Sequence, residues 1–128
     1  RVISPVSVAD NTAQVGQVVD RRGASSVTYL IATGSIADAD ATFTVLPEEC
    51  DTSGGTYTAV ADADMIGTEA LAGFQFDDDN ECRKLGYKGA KRYTKLTITP
   101  ANNASAALVA AVCVLGHQMV APTANPPA

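Results

Sequence analysis

Few residues in this 128-residue chain have side chains suited to catalysis or metal binding. The single histidine, His117, lies just beyond the last apolar run. It has no His or Cys neighbour at ligand spacing, so the sequence assembles neither a zinc site nor a His-based general base around it. Cys50, Cys82 and Cys113 make no Cys-x-x-Cys pair, and an odd count does not build a disulfide framework. Free thiols are expected, with Cys113 buried in its apolar run as a small hydrophobe. A Cys50–Cys82 bridge would require adjacent strands. The carboxylates Asp38/Asp40, Asp62/Asp64 and Asp77-Asp78-Asp79 could in principle gather a hard cation. Calcium takes about six to eight oxygens from a closed loop, and no such loop with its Gly and terminal Glu is present. Solvated turns are the expectation. There is no P-loop, dinucleotide fingerprint or Gly-x-Ser-x-Gly elbow. The chain therefore reads as non-enzymatic, with no cofactor and no metal.

Charge points to partners rather than to reactions. The net charge is −5 and the isoelectric point about 4.6. Nucleic-acid binders usually carry a basic face, so nucleic acid is not the expected partner. Nor does any run approach the ~20 apolar residues of a membrane span. The positive charge is local, since Arg83, Lys84, Lys88, Lys91, Arg92 and Lys95 fall within thirteen residues, beside Asp77, Asp78, Asp79 and Glu81. This is either a solvated acidic loop next to a basic hairpin or a complementary patch between subunits. On the second reading Lys88, Lys91, Arg92 and Lys95 contact a partner. A sugar site would draw on Tyr29, Tyr57, Tyr87 and Tyr93, as Trp is absent.

The elements that must position these residues are mostly strands. From Lys91 to Thr99 the sequence alternates, with Thr94, Leu96 and Ile98 on one face, and Pro100 is expected to end the ladder. Gly86 and Gly89 are expected to frame the turn of a hairpin before it. Ser26–Thr33 is rich in β-branched and aromatic residues and predicts a strand. Ala41–Glu49 alternates, with Phe43, Val45 and Pro47 on one face. It pairs as a hairpin with Thr56–Ala61 across the turn Asp51–Gly55, with Tyr57 and Val60 as anchors. Asp62–Gly67 predicts a helical turn that tucks in Met65 and Ile66. Leu71–Phe76 predicts a strand with Phe74 and Phe76 on one face. Ala104–Leu115 predicts a strand reached by a hairpin at Asn102-Asn103. Leu108, Val112 and Leu115 also have helical spacing, and the Ala content favours helix. But Val109, Val112, Cys113 and Val114 are β-prone, and a continuous apolar run also suits a strand covered on both faces, so strand is the reading taken.

Together these predict an all-β fold, an antiparallel β-sandwich or jelly roll of about eight short strands. Residues 1–23 read as an N-terminal arm anchored by Val2, Ile3, Val6 and Val8, residues 24–116 as the sandwich, and residues 117–128 as an extended Pro-bearing tail. Alanine supplies much of the apolar content. The core is therefore expected to be thin, with part of its stability drawn from neighbouring subunits.

One set of segments carries a resemblance. It comprises Phe43-Thr-Val, Thr56-Tyr-Thr-Ala-Val-Ala-Asp-Ala-Asp-Met-Ile-Gly67, an acidic turn, Gly86-Tyr-Lys-Gly-Ala-Lys-Arg-Tyr93 and Val114-Leu-Gly-His117. Over residues 26–122 the chain resembles small structural proteins encoded among the head genes of tailed bacteriophages and prophages. The Gly-Tyr-x-Gly-x-Lys-Arg-Tyr segment is the most specific part. The resemblance implies a capsid decoration, or cement, protein, made in the host cytoplasm and placed on the capsid surface of the virion. Its implied partners are the major capsid protein and copies of itself. Arm contacts would fall to Val2, Ile3, Val6 and Val8, and tail contacts to Met119, Val120 and Pro122. A tail, neck or head-fibre-base component is the alternative within the virion. A carbohydrate- or cell-surface-binding module is the alternative outside it.

Overall fold

The computed structural model describes residues 1–119. In chain order the strands are β1 (Ile3–Val8), β2 (Gln14–Val15), β3 (Val19–Asp20), β4 (Ala24–Ile36), β5 (Thr42–Cys50), β6 (Thr58–Ala59), β7 (Met65–Ile66), β8 (Phe74–Gln75), β9 (Cys82–Tyr87), β10 (Tyr93–Ala101) and β11 (Ala107–Gln118). A 3-10 turn (Asp62–Asp64) precedes β7, and a short helix α1 (Glu69–Ala72) precedes β8. The strands form two packed antiparallel sheets, so the fold is the all-β sandwich that alternation predicts. One sheet has the order β1-β11-β4-β9-β7. The other runs β2-β10-β5-β6, with β3 also on β10 and β8 also on β5.

Alternation along the long strands decides which residues face the interior. In β10, Thr94, Leu96 and Ile98 are buried, and in β5, Phe43, Val45 and Pro47 are buried, as the sequence predicts. The opposing sheet contributes Tyr29 and Ile31 from β4 and Leu85 and Tyr87 from β9. The β5–β6 hairpin is present, with Glu48 opposite Ala59 and Glu49 opposite Thr58. Val60 is buried, whereas Tyr57 is only half-buried.

Several expectations change. Pro100 does not end its strand but pairs opposite Phe43, with Ala101 beyond it opposite Thr42. On the other side of β10, β2 has already stopped at the pair Ile98–Gln14, so the missing N–H breaks no ladder there. Neither predicted hairpin around β10 exists, because β9 and β11 belong to the opposite sheet. The chain crosses between sheets at residues 88–92 and again at 102–106.

Each crossing is tied down. Arg21 donates from Nε to the Lys91 carbonyl and from a terminal nitrogen to the Gly89 carbonyl, both at 2.5 Å. Its guanidinium also lies 5.3 Å from the Tyr87 ring centre. Tyr87 Oη donates to Glu49 at 2.6 Å and accepts from the Lys91 N–H at 2.9 Å. At the second crossing the buried Asn103 donates from Nδ2 to the carbonyls of Val8 and Asp10, each at 3.1 Å. Gly86 is a strand residue and Gly89 also lacks a positive φ. What they require is space. A Cβ on Gly86 would stand 2.9 Å from Ile66 Cβ, and one on Gly89 would stand 2.6 Å from the Tyr87 ring.

Residues 1–23 are not an arm in the structure. β1 pairs with β11, β2 and β3 pair with β10, and Val2, Ile3 and Val8 are core residues. Leu71–Phe76 is not one strand. Thr68 caps α1 by accepting the Leu71 N–H at 3.2 Å, and only Phe74–Gln75 is extended. Phe74 is buried while Phe76 and Ile66 are exposed, and Met65 is tucked in as expected.

The sheets share one buried hydroxyl pair, Tyr29 Oη with Thr94 Oγ1. Burial pushes the Tyr29 phenol well above its ordinary pKa, so both groups stay neutral. Tyr29→Phe would strand the Thr94 hydroxyl and is expected to cost about 1–3 kcal/mol, read as a lower urea midpoint at unchanged slope. Adding Thr94→Val should recover most of that loss, since two matched apolar groups leave nothing unpaired. A double variant no more stable than the single would refute the pairing.

A candidate association surface

The outer face of the five-stranded sheet is the most unusual surface of the molecule. Strand register sets side chains on it in rows. Val112 lies opposite Leu30, which lies opposite Lys84. Val114 lies opposite Thr28, Thr28 opposite Gly86, and Gly86 opposite Ile66. Ala110 lies opposite Ala32, and Ala32 opposite Cys82. Leu108 stands beside Ser7 of β1. Leu30, Leu108, Val112 and Val114 are 38%, 48%, 45% and 52% exposed. These rows carry no carboxylate, and Lys84 is their one charge. The face is not quite flat. A hollow of about 500 Å3 lies among Thr28, Ile66, Leu71, Lys84 and Gly86, and one of about 360 Å3 lies among Pro5, Ser7, Gly34, Leu108 and Ala110.

Local sequence explains why the face exists. β4 reads Val27-Thr-Tyr-Leu-Ile-Ala32 and β11 reads Ala107-Leu-Val-Ala-Ala-Val-Cys-Val-Leu115, both apolar on alternate and intervening positions. The chain itself covers only one side of each. The Ala107–Leu115 run therefore holds the signal for this surface, although of the predicted contacts only Val6 borders it, in the hollow beside Leu108. What was missing was the register that places Leu30 beside Val112, a pairing between segments far apart in sequence.

The predicted contact residues are placed differently. Val2, Ile3 and Val8 are buried in the core, while Val6 is only partly buried, packing against that core and lining the hollow beside Ser7 and Leu108. Three of the four basic candidates are paired within the chain. Lys91 Nζ meets Asp51 at 2.5 Å, Arg92 grips both oxygens of Asp20 at 3.0 and 2.7 Å, and Lys95 meets Glu48 at 3.3 Å. The Arg92 hydrogen bonds hold the Asp20 carboxyl down to about 2. The Lys95 amine also lies 4.7 Å from the Tyr57 ring centre, which engages that tyrosine on the outer side of the other sheet. Lys88 and Met119 are exposed. Val120 and Pro122 lie outside the described residues.

The acidic turns are used for local structure. Asp38 accepts the Ala104 N–H at 2.7 Å, which holds its carboxyl below the usual range, while a hydrogen bond to Asp38 pushes Asp40 up. Asp79 accepts the Ile36 N–H at 2.7 Å, and Asp78 accepts the Gln75 N–H at 2.9 Å and pairs with Arg83. Among the described residues no group of three or more His, Cys, Asp or Glu side chains is placed to hold a metal ion. The three thiols are free, with Cys50 and Cys82 in different sheets. Cys113 is only partly buried, and that burial raises its thiol pKa. A further hollow of about 470 Å3 beside α1 is lined by Thr42, Phe74, Gln75, Asp78 and Arg83. Its Arg83 is already paired with Asp78 and Glu81. No described helix is long and apolar enough to cross a membrane.

No family model, no curated protein and no solved structure matches the chain.

Proposed function

We propose that this chain is a non-catalytic structural protein of a phage head, of the cement kind, which attaches in many copies to the outer surface of an assembled capsid shell. The observation that supports this most is the outer face of the five-stranded sheet. A contiguous, carboxylate-free apolar surface on a chain of net charge −5 is the mark of an association protein. A small two-sheet sandwich suits such a role, because each copy need contribute only a modest interface when many symmetric copies act together. The resemblance over residues 26–122 supplies the partner class, the major capsid protein, and the location on the virion. Contacts once expected of an arm pass to surface features of the sandwich, with Lys88 and Met119 as candidates at its margins.

The test mixes the purified chain with shells that lack it. Saturation at a copy number of the same order as the capsid protein, with a raised shell rupture temperature, is the expected result. Saturation at a few copies would move the chain to the neck, tail or fibre base. No binding at all, with glycan binding lost on Tyr57→Ala, would make it a surface-adhesion module instead.

A further inference from the structure

We infer that the outer face of the five-stranded sheet is covered by the same face of a second copy, making the protein a two-fold, face-to-face dimer. That this dimer is the unit received by the shell rests on the cement reading, whereas the dimer itself does not.

Three observations choose a second copy as the occupant. The first is burial. The central rows, Val112–Leu30 and Ala110–Ala32, belong to strands whose sequence pattern is that of burial on both sides, while the chain covers one. An identical face supplies the missing apolar layer, and two sheets pack naturally about 10 Å apart. The second is charge. Two copies each carrying −5 repel one another wherever carboxylates meet. On this face there are none to meet. Lys84 can lay its stem along the Leu30 row and carry its amine to the rim.

The third is area. Strands β1, β11, β4, β9 and β7 span four spacings of about 4.8 Å, and some eight residues along β11 at about 3.3 Å each add the other dimension. Since β7 has two residues and β1 and β9 six each, the footprint is at most roughly 500 Å2 per copy, or about 1,000 Å2 in total. This lies in the range of weak, transient interfaces, below the roughly 1,200 Å2 of the smallest stable ones and well short of the standard of about 1,600 Å2. The dimer should therefore be reversible and concentration-dependent. High local concentration on a lattice would favour it.

Sedimentation velocity on the full chain, from micromolar to sub-millimolar, is the first measurement. A shift from monomer to dimer mass is expected, with Val112→Glu and Leu30→Glu each weakening association at least tenfold while retaining the wild-type circular dichroism. Cys82, exposed at the end of the Ala110–Ala32 row, gives a readout that leaves the face intact. In a Cys50→Ser, Cys113→Ala chain its reaction with a thiol reagent should slow several-fold as dimer forms. A monomer mass throughout would overturn the inference, as would a dimer indifferent to both substitutions or Cys82 reactivity independent of concentration. Should the Glu variants not fold, the concentration series and Cys82 decide alone. Shell binding separates the two readings. A dimer through this face that never binds shells would sink the cement role and keep the dimer. A monomer whose shell binding is abolished by Val112→Glu would do the reverse and give the face to the shell.

Discussion

A chain lacking residues 1–8 is expected to lose its cooperative unfolding transition rather than to survive as a folded domain without an arm. The deletion removes Val2, Ile3 and Val8 from the core. At about 1.5–3 kcal/mol for each buried side chain, and allowing that such values are upper bounds, roughly 5–9 kcal/mol of apolar burial is at stake. Polar groups suffer as well. The Val2 N–H donates to the Ala111 carbonyl at 2.8 Å and the Gln17 N–H to the Val2 carbonyl at 2.9 Å. Asn103 would lose its bond to the Val8 carbonyl, and its Oδ1 already lacks a partner in a buried site. The sum is comparable with the whole stability of an ordinary domain, about 5–15 kcal/mol. Circular dichroism through a thermal ramp is the check. A truncated chain that melts cooperatively within a few degrees of the intact one would restore the arm.

The second large effect is expected at Phe74. Its ring stacks on Phe43 with centres 4.6 Å apart and planes 11° from parallel, across the pairing of β8 with β5. Phe74→Ala opens a cavity in a core short of large side chains and should cost about 3–5 kcal/mol. About 0.5–1.5 kcal/mol of that is the stacking itself. Phe76→Ala serves as the contrast. Phe76 is exposed, and its truncation should stay within about 0.5 kcal/mol. Equal losses at the two positions, measured by urea denaturation, would mean that both rings face the core as the bare alternation implied.

That pair of phenylalanines also marks how far the sequence could be read. Period-two alternation gave the inner faces of β5 and β10 residue by residue, because side-chain direction in a strand is a local property. It failed over Leu71–Phe76, where a cap at Thr68 starts a single helical turn too short for any periodicity to register. It also failed over neighbours. Alternation says which side of a sheet a residue faces but not which strand lies beside it, so from the sequence β9–β10 and β10–β11 read as hairpins. The ties that send those segments across the sandwich, Arg21 to Gly89 and Lys91, and Asn103 to Val8 and Asp10, join residues about 70 and about 95 positions apart. Val2, Ile3, Val6 and Val8 looked sparse enough to be an arm because their cover comes from the far end of the chain. The association surface was half legible. The unbroken apolar run of β11 suits a helix by spacing as well as a strand covered on both faces, and only the register with β4 shows which side the chain leaves open.

β11 lies between β1 and β4, hydrogen-bonded to both. The strand that closes the five-stranded sheet is thus the final one to be synthesised among those described. At about 5–20 residues per second, a nascent chain spends several seconds with β1 and β4 made and nothing between them. Pairings of such long sequence separation also form slowly once they become possible. The five-stranded sheet therefore cannot close until β11 has been made and has left the ribosome. A chain that stops short of β11 leaves the facing edges of β1 and β4 without the strand that pairs with both. The strand order thus makes the whole five-stranded sheet conditional on the last described strand, so that its integrity is decided late in the chain.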